Sequence, residues 1–220
     1  MQKLAIYLLA LILPVCCSAL GQSLPVQRPA WKPGDTWTYS LHYKLAGRPS
    51  SSYVVTITSV DGNGRSQANY SNPRLSEAGT LLLDADDNLI EYKKDSGIIQ
   101  YHANPSYPGY QWPLSVGRSW HRDFDYTAQG EGRHYKANLT AHVVGLEKIT
   151  VPAGTFDTLK IERRLDYQGF NGTNSWAGTV NSVTWYSAQS KSFVRSESTD
   201  LGTYGPADTA IRELAAYRVQ

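Results

Sequence analysis

Apolar and polar positions alternate over short stretches of this chain, and Gly, Pro, Asn and Asp interrupt the alternation at close intervals. Trp37-Thr-Tyr39-Ser-Leu41 sets three large apolar side chains on one side of an extended segment and hydroxyls on the other, the period of a half-buried strand. Alternation, or enrichment in Val, Ile, Thr, Tyr and Trp, predicts strands over 37–44, 53–60, 80–83, 89–93, 98–102, 136–144, 159–167, 180–186 and 193–199. Turn chemistry separates them at Lys32-Pro-Gly-Asp35, Asp61-Gly-Asn-Gly64, Asp86-Asp-Asn88, Asp95-Ser-Gly97, Pro152-Ala-Gly154 and Asn171-Gly172. The ending 210–219 fits a short helix capped by Asp208 or Thr209, or a closing strand, and the strand is the better fit. The pattern predicts an all-β fold: a single curved antiparallel sheet or partly open β-barrel, with few or no helices, over one domain spanning 22–220.

Gly34-Asp-Thr-Trp37 recurs 83 positions later as Gly117-Arg-Ser-Trp120. Two readings stand side by side. One is a duplicated half-unit around a pseudo-symmetric ligand cavity; the other is a recurring strand start with no further meaning.

The first 21 residues change the picture of where the chain resides. Lys3 precedes an apolar run from Leu4 to Leu13, Pro14 breaks it, and small residues follow, which is the layout of a signal peptide. The Ala19-Leu-Gly21 triplet sets the expected mature start at Gln22, with Leu20 as the alternative. The run is far shorter than the roughly 20 apolar residues that span a bilayer, so the chain is expected to be exported, periplasmic or secreted, without a transmembrane helix. Lipidation at Cys16 or Cys17 is the competing reading, opposed by Val15 and Pro14 where small residues normally precede a lipid-modified cysteine. Both cysteines lie in this segment, so a chain starting at Gln22 has neither disulfide nor thiol chemistry. A formal net charge of +2, or +1 once Lys3 is removed, argues against capture of nucleic acid or an anionic membrane.

No nucleophile elbow, phosphate-binding Gly-rich loop or zinc helix is present, and the expectation is a non-catalytic protein without cofactor or metal. Three local patterns carry the candidate chemistry. On a strand, His121, Asp123 and Asp125 share one face, where they suit either a hydrolytic site or a plain solvated surface. Asp84, Asp86, Asn88 and Asp95 have the spacing of a calcium loop, but Leu89 stands where such loops need Gly, so a hydrogen-bonded turn competes. The most ring-dense stretch holds Tyr107, Tyr110, Trp112 and Trp120 among Pro105, Pro108 and Pro113, and is the candidate ligand-binding segment. Its rings suit a sugar platform, the mouth of an apolar pocket, or a rigid lid packed over a barrel end.

Several segments together resemble an exported bacterial β-domain family of unknown function: Trp31-Lys-Pro-Gly-Asp-Thr-Trp37-Thr-Tyr39, Trp112-Pro-Leu-Ser-Val-Gly117-Arg-Ser-Trp120, Val151-Pro-Ala-Gly-Thr-Phe156-Asp-Thr-Leu-Lys-Ile161 and the stretch from Trp185 to Glu197. The resemblance implies a curved antiparallel sheet in the cell envelope, ending on a strand like Arg212-Glu-Leu-Ala-Ala-Tyr217. It supplies no activity. The resulting expectation is a protein that binds a small apolar or amphipathic ligand, or an envelope protein partner, on its concave face. A carbohydrate-binding β domain and an Asp/His hydrolase are the alternatives.

Overall fold

Alternation along β1 (Thr36–Tyr43) buries Trp37, Tyr39 and Leu41 and leaves Thr36, Thr38 and Ser40 partly exposed, and the same two-sidedness runs through the strands that follow. The computed structural model describes residues 25–45, 47–128, 132–172, 174–202 and 207–220; the signal peptide expected over 1–21, with Cys16 and Cys17, lies outside them. After β1 come β2 (Ser51–Val60), β3 (Ser66–Asn72), β4 (Glu77–Leu83), β5 (Leu89–Lys94) and β6 (Ile99–Asn104). They are followed by β7 (Ser119–Ala128), β8 (Arg133–Val151), β9 (Gly154–Asn171), β10 (Asn174–Ser187), β11 (Ser192–Asp200) and β12 (Asp208–Arg218). Each strand pairs antiparallel with its neighbours in chain order. Trp37 opposite Tyr217 and Leu41 opposite Arg212 join β1 to β12, so the expected curved sheet closes into a twelve-stranded barrel. Among the described residues the one helical turn is a 3-10 turn at Pro73–Leu75, and no helix is long and apolar enough to cross a membrane.

Closure removes every sheet edge, which leaves the apolar faces nowhere to go but inward. Two adjoining clusters fill the interior. One gathers Leu114, Trp120, Phe124, Leu139, Val143, Ile161 and Tyr186. The other joins Trp37, Tyr39, Tyr53, Ile57 and Ala68 to Phe156, Val194 and Leu214. The outer face of β7 to β10 carries Asp123, Asp125, Lys136, Asn138 and Asp166, so polarity is inverted relative to a membrane barrel, whose lipid-facing side is apolar. The long β8–β9 hairpin extends to β12, where the Ala153 N–H donates to the Leu214 carbonyl and Phe156 packs edge-on against Tyr217.

The two Gly-x-[Thr/Ser]-Trp segments open β1 and β7, the first strands of the two six-strand halves. Gly34 and Gly117 adopt positive φ, +94° and +87°, a conformation that glycine enters at little cost. Each turn then exchanges paired backbone hydrogen bonds with a neighbouring strand, at Ile57 in one half and Val143 in the other. The two tryptophans go to different ends, since Trp37 donates to the Ser190 carbonyl and Trp120 to the Pro108 carbonyl. The repeated strand start is therefore structural in both halves, but the surroundings are not symmetric.

Candidate functional site

Packing inside the barrel is incomplete. A cavity of about 390 Å³ remains, walled by alternate residues of four adjacent strands: Trp37, Tyr39 and Leu41 of β1, Tyr53, Val55 and Ile57 of β2, Ala68 and Tyr70 of β3, and Leu81 and Leu83 of β4. Trp31, Ser192, Phe193, Tyr110, Asp87 and Arg212 complete the wall. The rings are ordered against one another: Phe193, Tyr39, Tyr53, Tyr70 and Tyr92 follow in a chain with centroid spacings of 4.4, 5.2, 5.5 and 5.4 Å. Gly79 makes room for the last of them, because a side chain there would meet the Lys93 carbonyl and the Tyr92 ring. The volume lies in the range of small-molecule pockets, and the wall is mostly apolar with few polar groups.

The segment between β6 and β7 closes over this interior. It runs through cis peptide bonds at Asn104–Pro105 and Trp112–Pro113. Its main chain is bonded to the barrel from several sides. Asn88 donates to the Tyr110 carbonyl at 3.1 Å and accepts from the Tyr110 N–H at 2.7 Å. The Tyr107 N–H donates to the Leu89 carbonyl, and Val26 and Leu114 form an isolated bridge. The buried Arg163 of β9 donates twice to the Gly109 carbonyl, at 2.9 and 2.7 Å, and once to the Thr184 hydroxyl at 2.7 Å. Its guanidinium lies over the Tyr110 ring at 5.1 Å.

The four rings singled out in the sequence are thus placed together but point to different surroundings. Trp120 is buried beneath the segment and Tyr107 meets Phe124 edge-on. Tyr110 and Trp112 stack at 5.3 Å, and both present an edge to Tyr186. Of the four, Tyr110 lines the cavity. The remaining wall was invisible as a site in the sequence. Its signal was the inward set of β1 to β4, aromatic in three successive strands, together with an arginine at an inward position of β12.

The acidic stretch 84–88 forms a turn. Asp84 Oδ1 accepts from the Asp86 and Asn88 N–H groups at 2.8 and 2.9 Å, and Oδ2 accepts from the Ser106 hydroxyl at 2.6 Å. Asp87 pairs with Arg28 at 3.1 Å, tying the strand-preceding segment to the cavity rim. Its second carboxylate oxygen is buried without a hydrogen-bond partner. Burial pushes this carboxyl up to about 7, and the Arg28 hydrogen bond and charge pull the other way. The folded value then lies above the ordinary carboxylate value, so the native state holds the extra proton between about pH 4 and 7. Stability consequently falls as pH rises through that window, by up to ~1.4 kcal/mol per pH unit for one group. Urea unfolding at pH 5 and at pH 7.5 checks this. The wild-type midpoint is expected to be higher at pH 5, and Asp87→Asn to remove most of the difference; an equal difference in the variant would assign it to other groups.

A larger depression, about 720 Å³, lies on the outer face between β7 and β10. It is floored by polar side chains that bond one another. Asn138 donates to Asp123 at 2.6 Å and Thr179 to Asp166 at 2.6 Å, while Arg164 holds Asp166 through two bonds of 2.8 Å. His121 belongs to this face. Its ring nitrogens meet the Thr140 hydroxyl at 3.1 Å and the Asn138 amide at 2.8 Å, so Asn138 stands between His121 and Asp123. Asp125 lies opposite Lys136 in the β7–β8 register. Among the described residues no group of three His, Cys, Asp or Glu side chains is placed to hold a metal ion. A surface whose donors and acceptors satisfy each other offers a ligand less than the mostly apolar wall of the barrel cavity does.

No family model matches the chain, and no curated protein matches it. Among solved structures it is similar to a candidate lipoprotein of Parabacteroides distasonis, with a TM-score of 0.51 and 15% identity over 88% of this chain and 99% of that one. It is also similar, at a TM-score of 0.47 and 15% identity, to an exported protein of Bacteroides fragilis described as having a YmcC-like fold, over 88% of this chain and 99% of that one. A third likeness is to the hypothetical lipoprotein YmcC of Escherichia coli, with a TM-score of 0.44, 13% identity and 84% of each chain covered. At such identity the Parabacteroides distasonis likeness establishes the barrel fold and leaves the activity to the site itself.

Proposed function

We propose that this protein is a non-catalytic binding protein of the bacterial envelope whose barrel interior holds a small apolar or amphipathic molecule. The observation that carries this reading is the 390 Å³ cavity, walled by inward aromatic and aliphatic residues of β1 to β4. Burying an apolar chain against such a wall gains roughly 25 cal/mol per Å² removed from water, before ordering costs are subtracted. The lid adds a second support: Arg163 and Asn88 fix it through main-chain bonds, so the cavity is present before a ligand arrives and little binding energy is lost to ordering it. Export to the periplasm or beyond rests on the signal-like segment at 1–21 and on the family resemblance of the Trp31–Tyr39, Val151–Ile161 and Trp185–Glu197 motifs.

Calorimetric titration with octanol tests the reading. The wild type is expected to bind at one site. Val55→Trp, which projects an indole into the cavity, is expected to weaken binding about tenfold or more, equivalent to ~1.4 kcal/mol. Its far-ultraviolet circular dichroism should be unchanged, because Val55 borders open space and the larger side chain fills that space without displacing the core. Equal binding by the variant would place the ligand elsewhere.

A further inference from the structure

Two arginines point into the barrel, and their surroundings differ. Arg163 is fully engaged by the Gly109 carbonyl and the Thr184 hydroxyl. Arg212 lies on β12 opposite Leu41 of β1 and Ser196 of β11, and lines the cavity. Among the described residues nothing accepts a hydrogen bond from its guanidinium, and no carboxylate pairs with it. The acids near it in sequence are committed elsewhere, Glu213 to Arg195 and Asp208 to Arg48. The charge reaches the cavity rings: burial raises the Tyr53 and Tyr70 hydroxyls, and Arg212 draws both downward.

The Arg212 nitrogens are not sealed in the wall, so the guanidinium is open to an acceptor that a ligand brings. Its planar fork suits a carboxylate or a phosphate, which it can hold through two parallel bonds. Around it the wall is mostly apolar: Leu41, Val55, Ile57, Leu81 and Leu83 have no polar side-chain atom to offer, and the Tyr53 and Tyr70 hydroxyls are uncharged. The other ionisable wall residue, Asp87, is an acid already held by Arg28 and offers a negatively charged head no attraction. The cavity thus presents one unanswered positive charge and one extended hydrocarbon surface. The volume equals about a dozen water molecules at ~30 Å³ each, which limits the tail to a short or medium chain.

We propose that Arg212 is the anchor for the anionic head of an amphipathic ligand, a carboxylate or phosphate on a short alkyl chain whose tail lies against Val55, Ile57 and Leu81. This assignment rests on the interior-binding reading above and adds the chemical class of the ligand. It predicts discrimination by the head group, which an apolar cavity alone does not provide.

The test is calorimetric titration of the wild type, Arg212→Met and Arg212→Lys with octanoate, octyl phosphate and octanol, probes that share a tail and differ in the head. The wild type is expected to prefer at least one of the two anions over octanol by about tenfold, a difference of ~1.4 kcal/mol. Arg212→Met should lose that preference, its affinity for each anion falling to or below its own affinity for octanol, and Arg212→Lys should keep part of it. A preference confined to octyl phosphate would point to a phospholipid-derived head, and one confined to octanoate to a free carboxylic acid. Equal binding of all three probes by the wild type, or an anion preference that survives Arg212→Met, would overturn the Arg212 assignment and leave interior binding standing. Failure of all three to bind the wild type would overturn both. Should Arg212→Met fail to fold, the wild-type head-group comparison and Arg212→Lys still decide.

Discussion

Arg163→Met is expected to destabilise the protein by about 3 kcal/mol, because it removes three hydrogen bonds from a charged donor and strands the Gly109 carbonyl in the interior. Methionine approximates the length of the side chain and keeps apolar contact with the Tyr110 ring, so the loss reports the polar contacts rather than a void. For a domain near this size the change corresponds to a fall of roughly 10 °C in melting temperature. The effect should also be local. Amide hydrogen exchange is expected to accelerate through 105–114 and to change little in β8 and β9, whose ladder does not depend on the lid. A loss below about 1 kcal/mol, or exchange that rises evenly over the barrel, would show that Arg163 does not hold the lid.

Asp35→Ala should cost a comparable amount, again about 3 kcal/mol. Asp35 is fully buried, and its carboxylate accepts the Lys32 N–H at 3.0 Å, the Gln220 N–H at 2.8 Å and the Lys191 ammonium at 3.1 Å. One side chain thereby joins the segment before β1, the β10–β11 turn and the end of β12, which is where the barrel closes. Removing it leaves Lys191 with the main-chain oxygens of Ala30 and Gln220 but without the Asp35 carboxylate. The pairing can be separated from the rest by a double-mutant cycle. Asp35→Ala is expected to cost at least ~1 kcal/mol less in a Lys191→Met background than in the wild type. Additive costs would mean that the ion pair contributes nothing and that the two main-chain contacts carry the effect.

The Gly-Asp-Thr-Trp motif holding Asp35 was legible in the sequence as turn chemistry, and the positive φ of Gly34 agrees with that. The carboxylate's partners were not, since Lys191 and Gln220 lie 156 and 185 positions away. The same limit explains the other gaps. Strands with clean alternation, such as 37–44 and 53–60, were found close to their observed bounds. β3 was missed because Ser66–Asn72 has one aromatic and no β-branched residue, and its inward side is little more than Ala68 and Tyr70. β8 to β10 were read short, because polar residues and glycine such as Glu147 and Lys148 in β8, Asp157 and Thr158 in β9 and Asn174, Ser175 and Gly178 in β10 interrupt the apolar run, although Val151 and Phe156 in these ends belong to the core. The rings of the β6–β7 segment announced a packed lid or a binding loop. Their anchors, Asn88 at 22 positions and Arg163 at 54, could not be inferred from local pattern. Arg212 sits in a C-terminal segment for which a closing strand fits better than a short helix, and that strand, paired with Leu41, turns it inward.

Bromine-labelled octanol, located by anomalous scattering in crystals of the wild-type protein, shows directly where a ligand sits. Interior binding gives one bromine site inside the barrel, among Tyr53, Tyr70 and Leu81, absent from crystals of Val55→Trp. A bromine bound instead on the outer face beside Asp123, Asn138 and Asp166, with the interior unchanged, would contradict it.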